Sequence, residues 1–172
     1  YIGGIATGFY LFASAPGIHK KKKWQHLTGW DYAHRGLYDN EHGIPENSMA
    51  AFRRAVDKGY GIELDVHLTA DNQLVVFHDD TLTRMCGMNK KISSFLYSDL
   101  MQLRLLGTEE GIPLFKDVLE LIDGKVPLII ELKVDGSNQN LLCPLVWQLL
   151  SRYKGDYCIE SFHPFVLQWF KR

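Results

Sequence analysis

From Trp24 onward the chain alternates short apolar runs with amphipathic stretches, with no internal repeat and no low-complexity block, which is the strand-then-helix rhythm of an α/β protein. The stretch GWDYAHRG (29–36) predicts a short strand that runs into a loop. NSMAAFRRAVDKGY (47–60) predicts a helix capped by Asn47 or Ser48, with Met49, Phe52 and Val56 on one face and Gly59 at its end. GIELDVHLT (61–69) and QLVVFHD (73–79) predict strands joined by a tight turn at ADN (70–72). SDLMQLRLL (98–106), capped by Ser98, and LFKDVLELID (114–123), stopped by Gly124, predict helices. VPLIIELKV (126–134) is the continuous apolar run of a strand covered on both faces. A further helix is expected over NLLCPLVWQLLSRY (140–153), with Pro144 in its first turn, and a last short strand over DYCIESF (156–162).

Ionisable residues interrupt this apolar pattern at the end of each strand: His34 and Arg35, then Glu63 and Asp65, then His78 and Asp79, then Glu131 and Lys133, and finally Glu160. Side chains two apart on a strand share a face, so Glu63 pairs with Asp65 and Glu131 with Lys133. Charged residues gathered from the C-terminal ends of several parallel strands are the pattern of a β/α-barrel catalytic rim. If the strands are parallel neighbours, three carboxylates converge, which is costly unless a cation lies between them. With no cysteine nearby, the donors are all oxygen and suit calcium or magnesium. Any single acid is equally explained by an ion pair with Lys133 or Arg35. His34 and His78 beside such a cluster suit a general acid/base pair, since imidazole titrates near neutral pH. His67 shares the Glu63 and Asp65 face but is expected to be structural.

Composition narrows the function classes. With 172 residues, 46% hydrophobic, and a formal net charge of -1, the chain is an ordinary globular domain with no basic excess for nucleic acid. Cys86, Cys143 and Cys158 have neither zinc-site nor disulfide-framework spacing. The N-terminus differs: YIGGIATGFYLFASAP is uncharged and is followed at once by GIHKKKKWQ. It is slightly shorter than the ~20 residues of a spanning helix, and its flanking lysines follow the positive-inside pattern. Ala13-Ser14-Ala15 offers a competing signal-cleavage pattern, disfavoured by Pro16 directly after it. The expected layout is a membrane anchor over 1–18, a basic linker over 19–30 and a folded domain over 31–172 on the cytoplasmic face.

The motifs HRG (34–36), PEN-S (45–48), E-x-D (63–65), HD-x-x-L-x-R (78–84) and E-x-K (131–133), in this order, resemble those of the glycerophosphodiester phosphodiesterases from about Tyr32 to Phe165. The resemblance implies a TIM (β/α)8 barrel of the phospholipase-C-like phosphodiesterase type. It implies metal-dependent hydrolysis of small glycerophosphodiesters to glycerol 3-phosphate and an alcohol. It assigns Glu63, Asp65 and Glu131 to a Ca2+ or Mg2+ ion, His34 and His78 to proton transfer, and Arg35 and Lys133 to the substrate phosphate. Glu46 and Asn47 fall beside the site, with Glu46 a candidate for the metal shell. Ser48 replaces the usual threonine and keeps its capping hydroxyl. The resemblance also makes LVVFHD an excursion after the second barrel strand, so that PLIIELK becomes the third and CIESF the fourth.

A complete barrel of this type needs about 250 residues, so the domain is expected to be the N-terminal part of one, with exposed strand edges and apolar helix faces. Two other functions are carried forward: a related phosphodiesterase acting on lysophospholipids or sphingolipids, and a non-catalytic, membrane-associated metal-binding module.

Overall fold

The structure, a computed structural model, describes residues 25–171. Strand β2 (Gly61–Leu68) is buried at every position and organises the sheet. Strand β1 (Tyr32–His34) pairs with it in parallel, with Tyr32 opposite Gly61 and His34 opposite Glu63. On its other edge β2 carries the parallel strand β4 (Leu128–Leu132), with Asp65 opposite Glu131. Strand β5 (Tyr157–Glu160) continues the sheet, again in parallel, with Glu131 opposite Glu160. The short β3 (Leu74–Val76) is antiparallel to the end of β2, and Val66 has both Val76 and Leu132 as partners. The parallel order β1-β2-β4-β5 follows the chain, and β3 stands outside it.

Alternation along β2 divides the sheet into two chemistries. Ile62, Leu64, Val66 and Leu68 pack against Phe52 and Ala55 of helix α1 (Met49–Lys58) and against Phe115, Val118, Leu119 and Ile122 of helix α4 (Phe115–Ile122). Leu142, Cys143, Val146 and Leu150 of helix α5 (Gln139–Leu150) join the same core. By the period of two, Glu63, Asp65 and His67 take the opposite face. Parallel strands with helices on one face and charged groups on the other form the wall of a partial α/β barrel, as the sequence implies.

Local chemistry fixes the two ends of the first helix. Ser48 caps α1 by accepting a hydrogen bond from the Ala51 N–H at 3.2 Å, an interaction worth about 1 kcal/mol, and Gly59 ends the helix in the left-handed region. Gly61 is required by packing: a Cβ there would lie 2.6 Å from the Tyr32 ring.

Between β3 and α4 the chain builds a second apolar cluster from Val75, Phe77, Leu82, Met85, Ile92, Leu100, Leu105 and Ile112. It carries the single-turn helices α2 (Thr83–Cys86) and α3 (Tyr97–Leu100). Helix α6 (Pro164–Phe170) follows β5.

Three expectations need correction. The helix over 98–106 is only the single turn α3. Leu100 and Leu105 are buried while Met101 and Leu106 are exposed, and the Tyr97 N–H is taken by Asp71 at 3.0 Å with no cap from Ser98. Leu106 then turns into the left-handed region at φ 52°, which a helix cannot continue through. Pro144 lies inside α5, beyond its first turn, so the Asn140 carbonyl loses the N–H of an ordinary helix. The membrane-anchored location is also withdrawn. Among the described residues no helix is long and apolar enough to cross a membrane, and the segment 1–18 that prompted the expectation lies outside them.

Candidate active site

Register gathers the charged residues singled out by sequence: His34 at the end of β1 stands opposite Glu63, the third residue of β2, and Asp65, the fifth, stands level with Glu131 and Glu160 near the ends of β4 and β5. Glu63 and Asp65 of β2 and Glu131 of β4 are buried, with Asp65 fully so. Carboxylate oxygens of Glu63, Glu131 and Glu160 lie within 4.8 Å of one another. Asp65 is not in that group; two cations and an amide surround it instead. Lys133 Nζ lies 2.9 Å from Asp65 Oδ1, the Asn47 Nδ2 amide donates to Oδ2 at 2.9 Å, and Arg35 Nε lies 3.7 Å from the same oxygen. Lys133 also donates to Glu131 Oε1 at 2.8 Å.

Two loops bring in the remaining groups. After β1, Arg35 takes φ 58°, and its backbone N–H donates to Glu63 Oε2 at 2.9 Å while its Nη1 donates to Glu46 Oε1 at 2.9 Å. Asn47 adopts φ 53°, a region that asparagine tolerates better than most residues, and its N–H donates to the Arg35 carbonyl at 2.9 Å. The loops bearing the HRG and PEN motifs are therefore joined through backbone and side chain together. His34 is largely exposed, with Nε2 3.8 Å from Glu63 Oε2.

His78 lies at the start of the excursion after β3. Its Nδ1 is 2.7 Å from Asp79 Oδ1. Burial pushes the Asp79 carboxyl up, but hydrogen bonds from Arg84 and His78 outweigh it and hold the group down to about 2. An ionised carboxylate only accepts, so the proton of this contact belongs to Nδ1. His67, buried on β2, meets the His78 carbonyl with Nε2 at 3.2 Å and fixes the loop from below. Burial lowers the His67 pKa, which suits a structural imidazole.

Electrostatics favour a cation at the carboxylates. Burial first, and then the neighbouring Asp65, push the Glu63 carboxyl up to about 7. Burial and the charges of Glu131 and Asp65 likewise raise Glu160. Burial opposes the charge on Lys133, yet its bonds to Glu131 and Asp65 raise its pKa overall. The crowded carboxylates thus remain under-neutralised despite Lys133 and Arg35. An all-oxygen cluster in this condition fits a hard divalent ion.

Glu160, Asp79 and Arg84 are the site groups to which sequence reasoning gave no role. The sequence placed Glu160 at a strand end without a role; register gives it one, since it stands level with Glu131 and Asp65 across three parallel strands. Arg84 closes the HD-x-x-L-x-R run, but its partner Glu46 lies 38 positions earlier.

Residues 34–154 match the Glycerophosphoryl diester phosphodiesterase family. The chain is similar to the lysophospholipase D GDPD1 of Homo sapiens, at 34% identity over 168 residues, covering 90% of this chain and 51% of that protein. It is also similar to the glycerophosphodiester phosphodiesterase of Bacillus altitudinis, at 37% identity over 113 residues, covering 62% of this chain and 45% of that protein. Among solved structures it resembles an Oleispira antarctica phosphodiesterase in complex with the product sn-glycerol-3-phosphate. That match has a TM-score of 0.76 at 27% identity, covering 84% of this chain and 62% of the other. The chain spans about half the length of the curated relatives it matches.

Proposed function

Given that this chain belongs to the glycerophosphoryl diester phosphodiesterase family, we propose that it carries the metal, acid/base and anion-binding groups for hydrolysis of glycerophosphodiesters to glycerol 3-phosphate and an alcohol. The observation that supports this most directly is the convergence of Glu63, Glu131 and Glu160 beside Lys133 and Arg35 on one end of a parallel sheet. Three crowded carboxylates call for a cation, and two flanking cations call for an anionic ligand. A phosphodiester with a bound metal ion meets both demands.

In this proposal Glu63 and Glu131 hold the ion, with Asp65 and Glu160 as the further candidates. When bound, a Ca2+ or Mg2+ ion supplies Lewis-acid neutralisation of a phosphoryl oxygen. The chain's own groups do the rest. Arg35 and Lys133 bind the phosphodiester and stabilise charge on its non-bridging oxygens as the phosphorus becomes five-coordinate. His34 and His78 divide proton transfer: one takes the proton of the attacking hydroxyl and the other gives a proton to the departing alkoxide. The Asp79 carboxylate holds the proton of His78 on Nδ1, so that Nε2 is the atom that exchanges a proton with the substrate. Net, water is consumed and one P–O bond is exchanged for another; the histidine that gained a proton and the one that lost it are reset by proton exchange with solvent before the next turnover.

A second substrate class is favoured by one observation: the relatives covering 90–91% of this chain are named lysophospholipase D. Such an activity would convert a lysophospholipid and water to lysophosphatidic acid and the headgroup alcohol, with the same protein groups in the same roles.

The two are separated by supplying metal-stripped chain, with Ca2+ or Mg2+ restored, with glycerophosphoethanolamine and lysophosphatidylethanolamine in parallel. Metal-restored glycerol 3-phosphate supports the first, and lysophosphatidic acid alone supports the second. Metal binding without either product would leave a binding module.

A further inference from the structure

Arg84 has no part in the chemistry assigned above, yet its guanidinium is committed to two carboxylates from different parts of the chain. Nη1 and Nη2 donate to Oε2 and Oε1 of Glu46 at 2.9 and 2.7 Å. Nε and Nη2 donate to Oδ2 and Oδ1 of Asp79, both at 2.9 Å. Asp79 Oδ1 is also the oxygen that takes His78 Nδ1, and Glu46 Oε1 is also the oxygen that takes Arg35 Nη1. The geometry points to Arg84 as a positioning residue that fixes the tautomer and orientation of His78 through Asp79, and ties that histidine to the Arg35 side of the site through Glu46.

An ordinary surface ion pair would not have this consequence, since exposed pairs contribute little and hold no fixed geometry. Here the shared partner Glu46 is only 5% exposed, and both contacts are two-pronged, which fixes the planes of both carboxylates. A lysine could not reproduce the fork, because an ammonium is a point charge without a plane. The backbone beneath Arg84 is held as well, since the next residue, Met85, is buried in the second apolar cluster. The Arg84 side chain is itself 44% exposed, so its orientation comes from the two forks, which align Asp79 with the imidazole N–H.

Among the described residues, the charged and titratable groups tied to His78 or to its neighbours in the chain include Asp79, with Arg84 behind it; Asp80, next in the chain; and His67 of β2, at the His78 carbonyl. Of these, only Asp79 meets the imidazole ring through a hydrogen bond, and Arg84 holds Asp79.

The inference rests on the assignment of His78 to proton transfer, and two readouts separate the two claims. The first is the 15N spectrum of the His78 imidazole in the folded chain, which reports the tautomer without any turnover. The second is the pH dependence of kcat and KM for glycerophosphoethanolamine with Mg2+ or Ca2+. Arg84→Gln is expected to convert a single Nδ1–H tautomer into a mixture and to lower kcat about 10–100-fold with KM within about threefold. Arg84→Lys should fail to restore the single tautomer, and it decides the matter if Arg84→Gln does not fold by near-UV circular dichroism. A wild-type tautomer in the folded variant overturns the inference, whatever the rate. Loss of the tautomer in the variant, with no turnover by the parent chain, upholds the positioning role and removes the hydrolase assignment instead.

Discussion

Asn47 donates from its side-chain amide to Asp65 at 2.9 Å while its own backbone sits in the left-handed region at φ 53°. A residue that ends the PEN motif thus supports the most deeply buried carboxylate of the site. Asn47→Ala and Asn47→Gly both remove the amide, at an expected cost of about 1–3 kcal/mol for the unsatisfied Asp65 oxygen. Alanine should cost about 1 kcal/mol more than glycine, because only alanine pays for a Cβ at positive φ. Urea unfolding of the two variants measures both numbers, and equal stabilities would show that the backbone is not strained there.

Lys133 neutralises two buried carboxylates at once. Lys133→Met should destabilise the metal-free chain by about 3–5 kcal/mol, since Asp65 and Glu131 are left without their shared cation. Added Mg2+ or Ca2+ should raise the melting temperature of this variant more than that of the parent chain. A smaller rise in the variant would count against a divalent site at these carboxylates.

Glu160 gains its place beside Glu131 through strand register, and it offers a separable test. Glu160→Gln should weaken divalent-ion affinity on the order of tenfold in titration calorimetry by removing one charged oxygen donor. His34→Gln and His78→Gln should leave that affinity unchanged while lowering kcat by about 10²–10⁴-fold. If either histidine variant loses the metal, the division of roles is wrong.

The Glu46–Arg84–Asp79 network makes stability depend on acid pH. Burial raises both carboxyls, but Arg84, with Arg35 at Glu46 and His78 at Asp79, brings each below its ordinary value, with Asp79 at about 2. Groups with depressed folded-state pKa values contribute stability above their unfolded values near pH 4, and the contribution is lost as pH falls toward 2. Arg84→Gln should therefore unfold at a higher pH than the parent chain in an acid titration followed by circular dichroism. The stability difference between the two should shrink steadily below pH 4. A pH-independent difference would mean that packing, and not charge, is what Arg84 contributes.

Gly61→Ala should cost about 1–3 kcal/mol, because the new Cβ meets the Tyr32 ring at 2.6 Å. Tyr32→Leu in the same chain should recover part of the loss, as read by thermal unfolding.

Much of this arrangement was legible because strand alternation is local. Glu63 and Asp65 share a face wherever β2 lies, and Ser48, Gly59 and the apolar stripe between them specify α1 without reference to the rest of the chain. Contacts that depend on tertiary register were not legible. Glu160 joins Glu131 only once β4 and β5 are aligned, and Arg84 finds Glu46 across 38 positions of chain. The false helix over 98–106 has the same origin. Its leucines fit helical spacing, but they are divided between the second apolar cluster and solvent, and the local pattern carried no sign of that cluster.

That second cluster places the two histidines on different foundations. His34 ends a strand in the main sheet, whereas His78 rides on a segment with its own small core. Amide hydrogen exchange should then show two protection classes, with the residues around Leu82 and Ile92 opening at lower free energy than β2 and β4. Proton transfer at one side of the site would be governed by a unit that can loosen, and be re-engineered, while the carboxylate end of the sheet stays closed.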